Sequence, residues 1–225
     1  VSQRWVARSH RHLFRTLTVI APTVSSNIST LHHYDVTEFL TFLRNTPGVR
    51  HYLHDLTIRP RRDRLLLQQT GISITQIFQI RYLAPNLSHL SLLQVTLLPQ
   101  TDYMGGQLFS LPSPSSSRLS RLTLEDVNGD LDIDLLFSPV IDLIEFFGSI
   151  DTLCIDGWIP QRVPSYLAKG PAKVRISSVI IRRADHLESL GRILAAAAVD
   201  VAAITRIKFV ILSLRSFEAY NSSKR

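Results

Sequence analysis

The sequence predicts an α/β fold in which short parallel strands form one curved sheet, with helices or loops on its convex side. A short apolar pattern recurs seven times along the 225 residues, and helix signals stand between several of the copies. A composition that is 45% apolar and 19% charged is typical of a packed protein rather than a disordered one. When a crossover segment joins two neighbouring strands of one sheet, the two strands pair in parallel. Short crossovers stack such units one after another into a solenoid.

The repeated pattern is an apolar residue, two variable residues, an apolar residue, one variable residue and a final apolar residue. The central apolar residues of successive copies are 39, 34, 32, 31, 26 and 28 positions apart. Five copies also hold a small polar or thiol residue between the last two apolar positions. We expect each copy to form a strand with its apolar side chains on one face and its variable side chains on the other. The copies are residues 14–19, 53–58, 87–92, 119–124, 150–155, 176–181 and 204–209.

Four helices are expected between these strands, each from its own start or stop signal. The first helix follows a capping box at Asp35-Val-Thr-Glu38 and stops at Pro47-Gly48, and the second covers Ser73 to Leu83 before Pro85. The third starts with a cap and a proline at Ser138-Pro139 and ends at Gly148, and the fourth starts at Asp185 with Glu188 three residues later.

Residues 97–118 contain several Pro, Gly and Ser residues and have no apolar periodicity. The repeated pattern continues at unchanged spacing on both sides of this range. We therefore interpret residues 97–118 as a surface loop inserted into one domain.

The net charge of +7 is unevenly distributed, because residues 122–161 contain nine acidic residues and no Lys or Arg. Alternating basic and acidic segments do not form a continuous phosphate-binding stripe, so no nucleic-acid partner is expected. The most apolar stretch, 193–212, is interrupted by three charged residues, and no membrane association is expected. The single cysteine, Cys154, excludes an intramolecular disulfide and suits a reducing compartment.

No catalytic, cofactor-binding or metal-binding residue can be assigned. Asp130, Asp132 and Asp134 resemble the start of a calcium loop, but the sixth and twelfth positions of that loop are Leu135 and Ile141 where Gly and Glu are needed. The sequence has no compact metal-ligand spacing, no glycine-rich phosphate loop and no nucleophile elbow.

The variable strand positions are the candidate working surface, because they lie on the face of the sheet that the apolar residues leave open. We expect this surface to bind an unidentified target protein. The candidate residues are Asp55, Thr57, His89, Ser91, Arg121, Thr123, Thr152, Cys154, Arg206 and Lys208.

The opening Val1-Ser-Gln-Arg-Trp5-Val-Ala-Arg-Ser9-His-Arg-His12-Leu-Phe14-Arg-Thr-Leu17 resembles the end of an F-box and its junction with the first strand in the fungal F-box/leucine-rich-repeat-like proteins. Residues 39–58 are similar to that family's unit of short helix, proline and strand. The phrase Leu83-Ala-Pro-Asn-Leu87-Ser-His-Leu90-Ser-Leu92 is similar to its commonest repeat. The resemblance implies a leucine-rich-repeat-like domain over residues 17–225, preceded at 1–16 by the remnant of an F-box whose first two thirds are missing.

The resemblance implies an intracellular protein, cytoplasmic or nuclear, that recruits substrates to a Skp/cullin/F-box ubiquitin ligase. In such a protein a complete F-box binds the Skp-type adaptor, so adaptor binding is expected only where the full F-box is present. Two alternatives stay open at this stage. One is an α/β enzyme with an active site near the loop 97–118, and the other is a fragment without a function.

Overall fold

The computed structural model describes residues 3–21, 34–60, 70–98, 117–129, 138–157, 174–182, 194, 197 and 199–210. Within these ranges the helices are α1 Gln3–Phe14, α2 Tyr34–Asn45, α3 Pro47–Arg50, α4 Ile74–Leu83 and α5 Ser138–Phe146. The strands are β1 Thr16–Ile20, β2 Asp55–Arg59, β3 Gly71–Ser73, β4 His89–Leu93, β5 Thr96–Leu98, β6 Arg118–Glu125, β7 Asn128–Gly129, β8 Ser149–Asp156, β9 Val174–Arg182, β10 Val199–Asp200 and β11 Arg206–Val210.

The strands form two sheets. The main sheet has the order β1-β2-β4-β6-β8-β9, and both β10 and β11 pair with β9. The small sheet has the order β3-β5-β7. Every pairing between described strands is parallel. The seven apolar copies correspond to β1, β2, β4, β6, β8, β9 and β11, which confirms the predicted α/β fold with parallel strands in chain order.

The core lies between the main sheet and the helices. In the five copies from β2 to β9 all three apolar positions are at least nine-tenths buried. Helices α2, α4 and α5 contribute apolar side chains to the same core cluster, so they cover that face of the sheet. The aromatic rings of Phe78 in α4 and Phe146 in α5 stack with their centroids 3.8 Å apart. The alternate strand residues therefore lie on the opposite face, which we call the open face.

An irregular backbone junction explains how two apolar residues three positions apart both reach the core. In a regular strand, Leu53 and Leu56 would lie on opposite faces. Instead, the carbonyl of Arg15 accepts hydrogen bonds from two successive N–H groups, those of His54 and Asp55, each at 2.9 Å. This local disruption is of the β-bulge type, and it shifts by one residue which side chains of the strand face the core. The carbonyls of His54 and Ser88 accept successive pairs in the same way, from residues 88–89 and 120–121.

A second repeated device bends the chain after the strands. Gln94, Asp126 and Gly157 each follow a strand of the main sheet and adopt φ values of 54°, 47° and 92°. Their N–H groups donate to carbonyls of the next strand, at 2.7 Å from Gln94 to Glu125 and 2.8 Å from Asp126 to Asp156. After the first two of these turns the chain enters β5 and β7, so the left-handed turns connect the main sheet to the small sheet.

Helix α4 begins and ends with side-chain caps. The hydroxyl of Ser73 accepts a hydrogen bond from the Thr75 N–H at 3.2 Å, and the Gln76 side chain accepts one from the Ser73 N–H at 3.1 Å, which is a capping box. At the other end the Arg81 guanidinium donates to the carbonyls of Ala84 and Pro85. Partial burial lowers the pKa of Arg81 below its ordinary value. The helix predicted over Ser73 to Leu83 is confirmed.

Other helix predictions agree with the structure less closely. Helix α2 begins at Tyr34, so Asp35 lies inside the helix, and the predicted first helical residue, Val36, was two residues late. Helix α5 begins at Ser138 and ends at Phe146, two residues before the predicted stop at Gly148. The helix predicted from Asp185 falls mainly outside the described residues, as does the calcium-like segment 130–134.

The predicted segment boundaries also differ from the structure. Leu97 and Leu98 belong to β5, Leu97 is fully buried, and Arg118 begins β6, so both ends of the predicted loop 97–118 are strand. Residues 99–116 of that range lie outside the described residues. In the range 1–16, Gln3–Phe14 forms α1 and Thr16 begins β1; its interpretation as an F-box remnant remains a prediction.

The last apolar copy was expected to point into the core. Ile204 packs against the core cluster, but for the other two apolar residues this expectation was wrong. Strand β11 pairs with β9, but Ile207 and Phe209 are 58% and 52% exposed. Burial requires a neighbour on the core side, and among the described elements β11 packs mainly against its strand partner β9.

None of the described helices combines the length and the apolar character needed to span a bilayer.

Replacing a core residue of the main sheet should cost far more stability than replacing its neighbour on the open face. Leu90 is 1% exposed, and we expect Leu90→Ala to lower the free energy of unfolding by about 2–5 kcal/mol. The control Ser91→Ala, on the opposite face of the same strand, should change it by less than about 0.5 kcal/mol. Urea unfolding measures both values, and equal losses would contradict the assignment of the two faces.

The left-handed turn at Gly157 should favour glycine, because its φ of 92° is larger than the 54° and 47° that Gln94 and Asp126 adopt. A side chain at φ 92° is strained, so Gly157→Ala should lower the free energy of unfolding by about 1–2 kcal/mol. Gly48 in helix α3 is the matched control, because no atom lies within 4 Å of an added Cβ there. Gly48→Ala should leave stability unchanged or raise it by up to about 1 kcal/mol. A Gly157 variant as stable as the unmodified chain would show that this turn is not left-handed.

Candidate interaction surface

In-register pairing arranges the variable strand residues in two rows across the open face. Each row crosses β1, β2, β4, β6, β8, β9 and β11 in that order. The first row consists of Thr16, Asp55, His89, Arg121, Thr152, Ser178 and Arg206. The second row consists of Thr18, Thr57, Ser91, Thr123, Cys154, Ile180 and Lys208.

All ten residues proposed from the sequence fall on these two rows. Five are in the first row and five are in the second, and corresponding residues of neighbouring strands are register partners. The rows also contain four residues that the candidate set omitted, namely Thr16, Thr18, Ser178 and Ile180. The signal for them was already in the sequence, because they occupy the same variable positions of the first and sixth copies.

Cys154 corrects one of the ten assignments. Its register partners are Thr123 and Ile180, as the repeat predicts, yet its side chain is fully buried. A buried thiol cannot contact a partner protein, so Cys154 is not part of the accessible surface. Alternation along the strand fixes the face on which a residue lies, but it does not fix how much of that residue solvent can reach.

A chain of polar contacts joins the first three strands at the first row. The Thr16 hydroxyl donates to Oδ2 of Asp55 at 3.1 Å, and Oδ1 of the same carboxylate contacts Nδ1 of His89. The three residues are register neighbours, so the contacts run straight across the sheet. Because both carboxylate oxygens of Asp55 have a partner, the contacts fix the orientation of this acidic group.

Two further carboxylates near the rows are held by arginine. Arg118 binds Asp151 through Nη2, which lies 3.1 Å from each carboxylate oxygen, and through Nε at 3.3 Å. Nη1 of Arg182 lies 3.7 Å from Oδ2 of Asp156, its register neighbour on β8. These cross-strand pairs offset the acidic charges of β8.

Three cations on the rows have no such partner. Arg121 is half-buried in the first row, between His89 and Thr152, while Arg206 and Lys208 are exposed on β11. No hydrogen bond or ion pair joins any of the three to another side chain within the described ranges. The remaining accessible row positions are mainly hydroxyl side chains, so the surface can offer positive charge and hydroxyl groups to a partner.

Within the described residues, the rows do not bring a hydroxyl or thiol into contact with a histidine that could act as its base. In the described ranges no three His, Cys, Asp or Glu side chains converge on a possible metal position. The carboxylate of Asp55 lies between Thr16 and His89, so the imidazole does not contact the hydroxyl that it would have to activate.

No protein-family model, curated protein or solved structure matches this chain.

The thiol of Cys154 provides a direct test of accessibility on the open face. In the folded chain Cys154 should react with a thiol reagent such as DTNB only as fast as the protein opens, because the side chain is fully buried. A Ser91→Cys variant adds a second thiol on the same row, two strands away, and this thiol should react much faster. Two fast thiols in the variant, or a fast thiol in the unmodified chain, would contradict the described burial.

Proposed function

We propose that this chain is a protein-interaction module with the architecture of a leucine-rich-repeat-like solenoid. In this proposal the main sheet is curved, its open face is concave and binds the target, and the helices lie on the convex side. The chain-order stacking of parallel strands supports it, because each strand of the seven copies pairs with the strands of the preceding and following copies, as in quasi-one-dimensional repeat proteins. The recurring left-handed turns at Gln94, Asp126 and Gly157 support it as well.

The observation that carries the interaction function is the pair of in-register rows on the open face. A polar strand face without a described helix over it presents side chains of several consecutive strands to one partner. The working residues in this proposal are the accessible members of the two rows, which excludes Cys154. Extended binding surfaces of this kind are how solenoid proteins commonly contact their targets.

We further propose that the chain is the substrate-recruiting part of an F-box protein in a Skp/cullin/F-box ubiquitin ligase. The support is the resemblance of the segments 1–17, 39–58 and 83–92 to that family. The proposal assigns target binding to the rows and adaptor binding to a complete F-box, of which residues 1–16 are the end.

Site-specific photocrosslinking tests the interaction function. A photoreactive phenylalanine analogue is placed at Thr123, in the second row, and in a matched variant at Tyr82 on α4, which is 75% exposed on the opposite side of the sheet. After irradiation in cells that express the full chain, we expect a discrete crosslinked protein from the Thr123 position and none of it from the Tyr82 position.

Identical crosslinks from both positions, or none from Thr123, would contradict target binding on the open face. The ligase assignment has its own readout in the same cells. A Skp-type adaptor and a cullin should copurify with a form of the chain that includes a complete F-box, and their absence would contradict that part of the proposal.

A further inference from the structure

The charges of the open face are not balanced, and the imbalance indicates the chemistry of the partner. Asp55, Asp151 and Asp156 each contact an arginine or a histidine, and Glu125 also takes part in an interaction. By contrast, Arg121, Arg206 and Lys208 have no partner within the described residues. The charge that the two rows leave unpaired is therefore positive.

We propose that the open face binds an extended acidic segment of a partner polypeptide, which crosses the strands along the first row. This inference rests on the proposed interaction function and names the chemistry of the target. One carboxylate of the segment pairs with Arg121, and a second pairs with Arg206 and Lys208. The hydroxyl groups of Thr152 and Ser178, which lie between these cations in the first row, hydrogen-bond the peptide backbone.

The sheet geometry fixes the separation of the two carboxylates. Strands β6 and β11 are three steps apart in the order β6-β8-β9-β11. At about 4.8 Å per step the two cationic positions are about 14 Å apart. An extended peptide advances about 3.3 Å per residue, so the acidic residues stand about four positions apart. Residues four apart in an extended chain also point to the same side, which allows both to face the sheet.

The same charges favour a peptide over a nucleic acid. Glu125 and Asp156 are register partners two residues beyond the second-row positions Thr123 and Cys154, and Asp151 directly precedes Thr152. A nucleic-acid backbone carries a negative charge at every phosphate, so phosphates would also lie opposite Thr152 and Ser178, where the first row offers no cation. A peptide with two well-separated carboxylates meets the cations and leaves neutral groups opposite the acidic positions.

Selection of peptides on the full chain tests the inference. A phage-displayed library of random 12-residue peptides is selected on the unmodified protein, and enriched sequences are synthesised for titration by fluorescence anisotropy. We expect enriched peptides with two Asp or Glu residues about four positions apart. Arg121→Gln should weaken their binding about tenfold or more, because a charge-assisted contact is lost.

Arg44→Gln is the matched control, since it removes the same charge from the exposed side of helix α2 and should leave binding unchanged. A second variant, Arg121→Glu, should select peptides with a basic residue in place of the first acidic one. This switch in selected sequence cannot arise from misfolding. Thermal unfolding of each variant verifies that it is folded.

Several results would overturn the inference. They are enrichment of peptides without acidic residues, equal binding to the Arg121→Gln variant, no enriched peptide, and tighter binding of an oligo-dT 12-mer than of any peptide. The crosslinking result at Thr123 separates these failures from failure of the interaction function. A specific crosslinked partner together with any of these results would leave the open face as a binding surface of different chemistry.

Discussion

Parallel, in-register pairing of neighbouring strands is the constraint on which the rest of this structure depends. Each strand of the repeat presents the same positions to its neighbour, so the apolar positions of all copies meet in one core and the variable positions meet in rows. The shared carbonyl of Arg15 and its counterparts at His54 and Ser88 make this possible. Without that local irregularity, the first apolar residue of the second, third and fourth copies would lie on the open face.

The rows follow from the same pairing, and so does the electrostatic character of the surface. Because Asp55 and His89 are register neighbours, the acidic group of the first row is held within the sheet. Because Arg121 lies between His89 and Thr152, its neighbours within the row offer it no carboxylate. The fold therefore determines which row charges are paired within the described residues and which are not.

The sequence predicted the repeating strands well because their signal is periodic and occurs seven times. The helix over Ser73 to Leu83 was predictable for a similar reason, since local capping and a following proline determine it. The small sheet was not predictable, because strands of two or three residues have no usable period. Its entry turns use Gln94 and Asp126, neither of which is the glycine that signals a left-handed conformation.

Exposure was the property that the sequence predicted least well. Cys154 and Ser91 occupy equivalent positions of the second row, yet the first is fully buried and the second is not. Ile207 and Phe209 match the apolar pattern as well as the buried residues of earlier copies do, but they are exposed on the last strand. Burial depends on what packs above a residue, and a repeat pattern within one strand contains no information about that neighbour.

Electron-spin distance measurements along the second row test the in-register pairing most directly. Spin labels are attached at Lys208→Cys and, in separate variants, at Thr123→Cys, Ser91→Cys, Thr57→Cys or Thr18→Cys, which lie three, four, five and six strand steps away. In-register parallel strands predict distances that increase at every step by up to about 4.8 Å. Distances that do not increase in chain order would contradict the shared sheet, the rows, and the binding function built on them.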